Sequence, residues 1–298
     1  MSTSTDGPRT ATFTPGVAEI PAGRIHYREA GSGPALVFVH GWAVNGTLWE
    51  QTAAELTGSH RSIVVDWPFG SHPEPLAPEA DLSPPGAARI VADTIAALDL
   101  DDVTIVANDS GGAVSQIVVT EHPERISRLV LTNCDCLEEF PPGRFKLLVK
   151  ALKVPGVWSV LSAGFALRSL QRSPLAYGSR THTRISDEIL DSWVLPARRN
   201  PDVRRDSGKF AAGMDPRYTL EVAAKLGELE IPVLLTWGVD DTFFHVGLAE
   251  RLERIIPDAR LVRFEHAKTF LPLEAPERLA GEIAAFVAAK AAARAPTG

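Results

Sequence analysis

Six short apolar runs, rich in Val, Leu and Ile, punctuate this chain at residues 35–39, 62–66, 103–107, 128–132, 232–236 and 260–264. Short, mostly apolar runs of this length that alternate with longer helix-like segments are the pattern of a parallel sheet with helices on both faces. Segments of helical period lie between or after them at 86–98, 113–121, 248–256 and 276–292. The alternation predicts an α/β fold, a mostly parallel central sheet flanked by helices, with an initial antiparallel hairpin around 17–29 at one edge.

The alternation breaks between residues 137 and 215, where helical periodicity continues without a strand. Phe145, Leu148, Val149 and Leu152 fall at i, i+3, i+4 and i+7, and Trp158, Leu161 and Phe165 extend the stripe. Breaker clusters at Pro141-Pro142 and at 213–216 bound this stretch. Two units are therefore expected: a core formed by 1–136 and 216–298, and a helical insertion over 137–215. The insertion holds 13 Lys/Arg against 8 Asp/Glu, a charge of +5 within a chain of net charge −7. That excess is read as a solvated outer face, with an anionic substrate beneath a basic lid as the alternative.

The run from Val103 ends at a polar turn, Asn108-Asp109-Ser110, and passes into a helix-compatible segment through Gly111 and Gly112. A sharp strand-to-helix turn tolerates only small side chains two residues either side of the exposed one, and Ala107 and Gly111 satisfy that rule around Asp109. Centring the turn on Ser110 would put Asn108 at a small-residue position. Asp109 is thus the candidate nucleophile; its competing role is simply to cap the helix that follows. A carboxylate facing the N–H groups at a helix start could attack without prior deprotonation. Attack on an acyl carbon would give an anhydride, whereas attack on a saturated carbon bearing a halide or an epoxide oxygen gives a stable ester. The residue type points to an alkyl electrophile.

An apolar content of 45% and a charged content of 22% suit a globular protein with one large core. No basic stripe interleaved with aromatics appears, and no apolar stretch approaches a membrane span, so neither nucleic acid nor membrane is expected as a partner. The first nine residues lack the order of a signal peptide and read as a disordered lead-in, giving an expected cytoplasmic location. Cys134 and Cys136 flank Asp135, too close for a disulfide within one strand, and are expected as reduced thiols. The scattered histidines show no metal-ligand spacing, and no phosphate or dinucleotide loop is present, so no metal and no cofactor is expected.

Several motifs follow in order: His40-Gly41-Trp42, the Asp109 turn, the stretch from Glu121 to Leu131, Trp237-Gly238-Val239-Asp240-Asp241, and Phe270 to Pro276. Together they resemble the α/β-hydrolase superfamily, in particular its aspartate-nucleophile branch of haloalkane dehalogenases and epoxide hydrolases. The resemblance implies the α/β-hydrolase fold with a helical cap over the site. It implies an oxyanion hole from the backbone N–H groups of Trp42 and Ser110, and a triad acid at Asp241, with Asp135 as second choice. His40 is read as structural. The Trp42 indole either donates to a leaving group or packs in the wall.

Three positions depart from that pattern. The family histidine should stand where Thr269 stands; the nearest, His266, is three residues early, a span of about 10 Å in extended chain. His266 is the expected water-activating base if the loop folds back, with His245 or His182 as substitutes. Ser110 occupies the place of a halide-binding tryptophan, and Trp42 that of an asparagine, which favours an epoxide over an organohalide. Cap tyrosines protonate the opening oxygen in epoxide hydrolases, so Tyr177, Tyr218 and Trp158 are the expected substrate contacts. The expected function is a cofactor-free hydrolase acting through a covalent ester on a small apolar molecule. The alternative is a non-hydrolytic lyase, isomerase or binding protein, favoured by Thr269.

Overall fold

The computed structural model describes residues 11–294; the expectation for the first nine residues lies outside them. Strands β1 (Thr14–Ile20) and β2 (Gly23–Ala30) form the anticipated antiparallel hairpin, and β2 then pairs antiparallel with β4. Strands β3 (Ala35–Val39), β4 (Arg61–Val65), β5 (Val103–Asp109), β6 (Ile126–Cys134), β7 (Val233–Gly238) and β8 (Ala259–Phe264) are mutually parallel. The order across the sheet is β1-β2-β4-β3-β5-β6-β7-β8. All six apolar runs are strands, the first with the same ends and the others with ends shifted by no more than two residues.

Period-two alternation sends the side chains of each central strand into two separate cores. Val37 and Val39 join one cluster with α2 (Pro84–Ala97) and α3 (Ser110–Glu121), while Leu36 and Phe38 join the other with α1 (Glu50–Leu56). Between β6 and β7 the described residues add no strand to the sheet and form the helices α4 (Lys146–Leu152), α5 (Val157–Gly164), α6 (Arg168–Gln171), α7 (Asp187–Arg199), α8 (Pro201–Gly213) and α9 (Pro216–Leu226). Helices α10 (Val246–Ile255), α11 (Leu271–Glu274) and α12 (Pro276–Arg294) complete the fold, α12 packing beside α1.

Strand order reverses around β3, which lies between β4 and β5. Loops leaving the carboxyl ends of neighbouring parallel strands diverge there and open a crevice. His40–Ala43, Asp109, Asp135, Asp241 and Thr269 all follow such strand ends. Cys134 and Cys136 are free and buried; burial pushes both thiols well above their ordinary range.

Candidate active site

Helix α3 begins at Ser110, three residues earlier than the apolar period suggests, so no loop separates it from β5. Asp109 is at once the last strand residue and the helix cap, and it takes up the turn with φ +54° and ψ −137°. A non-glycine residue there is strained, and the neighbours hold it in place. A Cβ at Gly41 would lie 2.5 Å from Asp109 Cβ, and one at Gly112 would lie 2.3 Å from Cys134 Cβ. Both glycines permit the close approach that clamps the turn.

The carboxylate so presented has two distinct oxygens. Oδ1 accepts from the backbone N–H of Ser110 at 2.6 Å, and Oδ2 accepts from Arg180 Nη1 at 3.4 Å. Arg180 enters from the segment before α7, its guanidinium over the rings of Phe243 at 4.7 Å and Phe145 at 5.0 Å. Such stacking fixes a cation in a partly dry site. Nothing in the sequence around Arg180 marks it, because 71 positions separate it from its partner.

Asp135, the second-choice triad acid, lines the same cavity of about 30 Å³ as Asp109, Trp42 and Arg180. Its backbone N–H donates to the Asp109 carbonyl at 3.3 Å. Its Oδ1 is buried without a hydrogen-bond partner among the described residues. Burial first, and then the neighbouring Asp109 charge, push the Asp135 pKa well above the usual carboxylate range, with Arg180 opposing. The environment of Asp135 thus favours its protonated form relative to an ordinary aspartate.

Asp241 anchors the other end. Oδ1 accepts from the backbone N–H groups of Phe243 at 2.7 Å and Phe244 at 3.2 Å; Oδ2 accepts from Asn133 Nδ2 at 2.9 Å and Thr269 Oγ1 at 2.8 Å. A register shift between β5 and β6 sits beside Asn133, and such irregularities re-aim side chains. The Asn133 amide closes further bonds with Gly238, 2.7 Å from its N–H and 3.0 Å from its carbonyl. Burial raises the Asp241 pKa despite these donors.

The expected pairing of Asp241 with His266 is not formed. His266 takes a left-handed turn, φ +59°, that points its side chain outward, 94% exposed and 4.0 Å from Asp240. The loop after β8 does not fold back; buried Thr269 takes the carboxylate instead. His182 also faces Asp240, at 3.0 Å, and His245 is exposed before α10. None of the three reaches Asp241 or Asp109.

Trp42 and Ser110 meet at the elbow: the Trp42 N–H donates to Ser110 Oγ at 2.7 Å, while the Ser110 N–H serves Asp109. The Trp42 indole donates to Ser207 on α8, 3.0 Å to Oγ and 3.1 Å to the carbonyl, and packs 4.9 Å from the Trp158 ring. It is a wall residue. His40 is structural as read, bonded to Gly41 and to the Trp67 N–H at 2.8 Å each, its pKa pushed down to about 3 by burial.

Tyr177 and Trp158 line an apolar chamber of about 270 Å³ that shares Trp42, Phe145 and Arg180 with the small cavity. The Tyr177 hydroxyl is committed to the Ala43 carbonyl at 2.7 Å, and burial raises its pKa. Tyr218 lines neither space; its hydroxyl lies 2.6 Å from Arg217 on α9. Arg180, Asn133, Phe145 and Ser207 are site residues that sequence reasoning missed.

A family model described as alpha/beta hydrolase fold matches residues 34–276. The chain belongs to the alpha/beta hydrolase fold family. It is 26% identical to a 2-hydroxy-6-oxo-6-phenylhexa-2,4-dienoate hydrolase of Burkholderia cepacia over 83% of this chain and 88% of that protein. It is 28% identical to haloalkane dehalogenase 2 of Mycobacterium tuberculosis over 88% of this chain and 90% of the relative. The haloalkane dehalogenase DbeA of Bradyrhizobium elkani has the same fold, with a TM-score of 0.80 and 15% identity over 95% of this chain and all 100% of DbeA. The hydrolase class expected from the sequence is thus the class of the α/β-hydrolase chain's named relatives.

Proposed function

We propose that this α/β-hydrolase-fold chain is a cofactor-free hydrolase of an alkyl electrophile, an epoxide in preference to an organohalide. Asp109 forms the covalent ester, and Asp135 takes the proton-transfer role left open by Thr269. The observation that carries this reading is a strained elbow carboxylate lining one small cavity with a second, buried carboxyl group and an arginine.

In the first step Asp109 Oδ2 bonds to a ring carbon, the C–O bond of the epoxide breaks, and its electron pair stays on oxygen. That oxygen takes the Asp135 proton. A buried acid that keeps its proton is the donor an opening epoxide needs, whereas a departing halide needs none. The indole that would hold a halide is engaged with Ser207.

Esterification removes the Asp109 charge, one of the causes raising the Asp135 pKa, and leaves Arg180 to favour its carboxylate. In the second step the Asp135 carboxylate takes a proton from water as the water oxygen adds to Asp109 Cγ. The ester C–O bond breaks, the departing alkoxide takes the proton of the added hydroxyl, and a diol leaves with Asp109 regenerated as the carboxylate and Asp135 protonated again. The Ser110 N–H stabilises the developing oxyanion. The apolar chamber walled by Trp158 and Tyr177, beneath residues 137–215 acting as a cap, holds the rest of the substrate.

The test is turnover of an epoxide panel in isotopically labelled water, with mass analysis of the peptide bearing Asp109. Label entering Asp109 over several turnovers is expected. Unlabelled Asp109 with diol still formed, or full turnover by Asp109→Asn, overturns the covalent assignment. A non-hydrolytic role is the second reading, favoured by the Thr269 bond that satisfies Asp241. It predicts no diol from the wild-type protein.

A further inference from the structure

We infer that the outer face of the helices between β6 and β7 is a docking surface for an anionic lipid bilayer, lying against the headgroups without crossing them. Eight large hydrophobic side chains stand exposed among the described residues, and six of them fall between 147 and 175. Leu147, Val160 and Leu175 are 79%, 74% and 82% exposed. Helix α5, Val-Trp-Ser-Val-Leu-Ser-Ala-Gly, is apolar along most of its length yet buries only Ser162 fully. Trp158 turns inward to Trp42, but Val160 and Leu161 stay exposed and do not serve the core of this molecule.

Charge identifies the partner. Residues 140–186 contain eight Lys/Arg and no Asp or Glu; Arg168 and Arg172 pair with Asp187 and Asp191 and Arg180 with Asp109, which leaves Arg144, Lys146, Lys150, Lys153 and Arg184 outside any ion pair among the described residues. Lys146, Lys150 and Lys153 are exposed on and just after α4, interleaved with Leu147 and Val154, while Val149 and Leu152 face inward. Among the described residues Lys150 and Lys153 form no ion pair. Basic side chains interspersed with exposed aliphatics match a negatively charged interface with hydrocarbon beneath it. A second copy of this face would bring two arrays of like charge together. No described helix is long and apolar enough to cross a membrane, which agrees with a contact made along the surface.

The patch also surrounds an opening. Leu161 and Leu175 are exposed and at the same time line the apolar chamber that reaches Trp42 and Arg180. Docking would set that mouth against the bilayer, so that a lipid-partitioned electrophile enters without passing through water; this last clause rests on the hydrolase reading above.

The full-length protein is tested by co-sedimentation with vesicles of phosphatidylcholine alone and of phosphatidylcholine mixed with phosphatidylglycerol. Binding to the mixed vesicles, weakened by salt, is expected. Lys150→Gln/Lys153→Gln should lower partitioning about fivefold per charge removed. Leu147→Ser/Leu167→Ser, residues outside the chamber, should lower it further while the melting temperature stays unchanged. Equal binding to both vesicle types, or none, overturns the proposal. So does a concentration-dependent dimer in light scattering that Leu147→Ser abolishes, which would assign the face to a second copy. Turnover of a short water-soluble epoxide by the lysine variant separates the two readings: docking can fail with hydrolysis intact, and vesicle binding can persist in a chain that does not hydrolyse.

Discussion

The turn after β5 and the loop after β8 bound the same crevice, and they have met opposite fates. At the first, strain, two close-packed glycines and an arginine converge on one exposed carboxylate. At the second, Thr269 and Asn133 donate to one oxygen of Asp241 and the backbone N–H groups of Phe243 and Phe244 to the other, and the nearest histidine points away from the protein. Backbone strain at the elbow persists only where the surroundings enforce it, the mark of a working part. Full satisfaction of a buried carboxylate is instead the mark of a brace. On the mechanism proposed above, the proton chemistry lies beside the elbow, at Asp135, rather than across the crevice.

Four substitutions sharpen or break that contrast. Asp109→Asn should reduce turnover by about a thousandfold or more, since it removes the attacking oxygen; steady-state diol formation checks this. Asp135→Asn should reduce epoxide turnover by about a hundredfold, the scale of a positioned proton donor and acceptor. With a primary alkyl bromide, whose leaving group needs no proton, the same variant should accumulate the Asp109 ester, visible as added intact mass.

Asp135→Asn carries a second signature. Its carboxyl has a folded-state pKa above the unfolded one, so the stability it contributes is present below the ordinary carboxylate range and lost as pH rises toward the raised value. The variant should therefore lose less melting temperature than wild type between about pH 5 and pH 8. A brace predicts the reverse balance of stability and activity. Thr269→Val leaves Asp241 short of a donor and should cost about 1–3 kcal/mol in denaturant unfolding, with turnover kept. Smallest of all, His266→Ala should leave turnover unchanged and stability within about 0.5 kcal/mol; a loss of turnover would restore the histidine to the mechanism.

Much of the fold was legible along the chain. The five inner runs form a parallel array because most of their residues are buried on both faces, while the edge run at 260–264 is only partly buried. Asp109 was legible because its neighbours at two positions either side are small, a local requirement of a tight turn. Asp135 ranked behind Asp241 in sequence because nothing local shows that one shares a cavity with Asp109 and the other is enclosed by amides. His266 misled for the same reason: proximity in sequence to Phe270 says nothing about which side of a loop faces the crevice. The charge of the helical stretch between β6 and β7 was also visible, but read as ordinary solvation, because exposure of Leu147 and Leu175 beside the lysines is not a sequence property.

Composition and short-range pattern alone determined the layered α/β architecture, the strand-to-helix elbow and the chemistry open to its carboxylate, since these depend on propensity, burial and sterics within a few residues. Tertiary structure decided which groups meet that carboxylate. Arg180 and Asp135 reach the cavity through crossings of 71 and 26 positions from Asp109, and Thr269 reaches Asp241 across 28. Contacts over such separations are set by how the sheet is ordered and how the loops close on it, and no local preference encodes them.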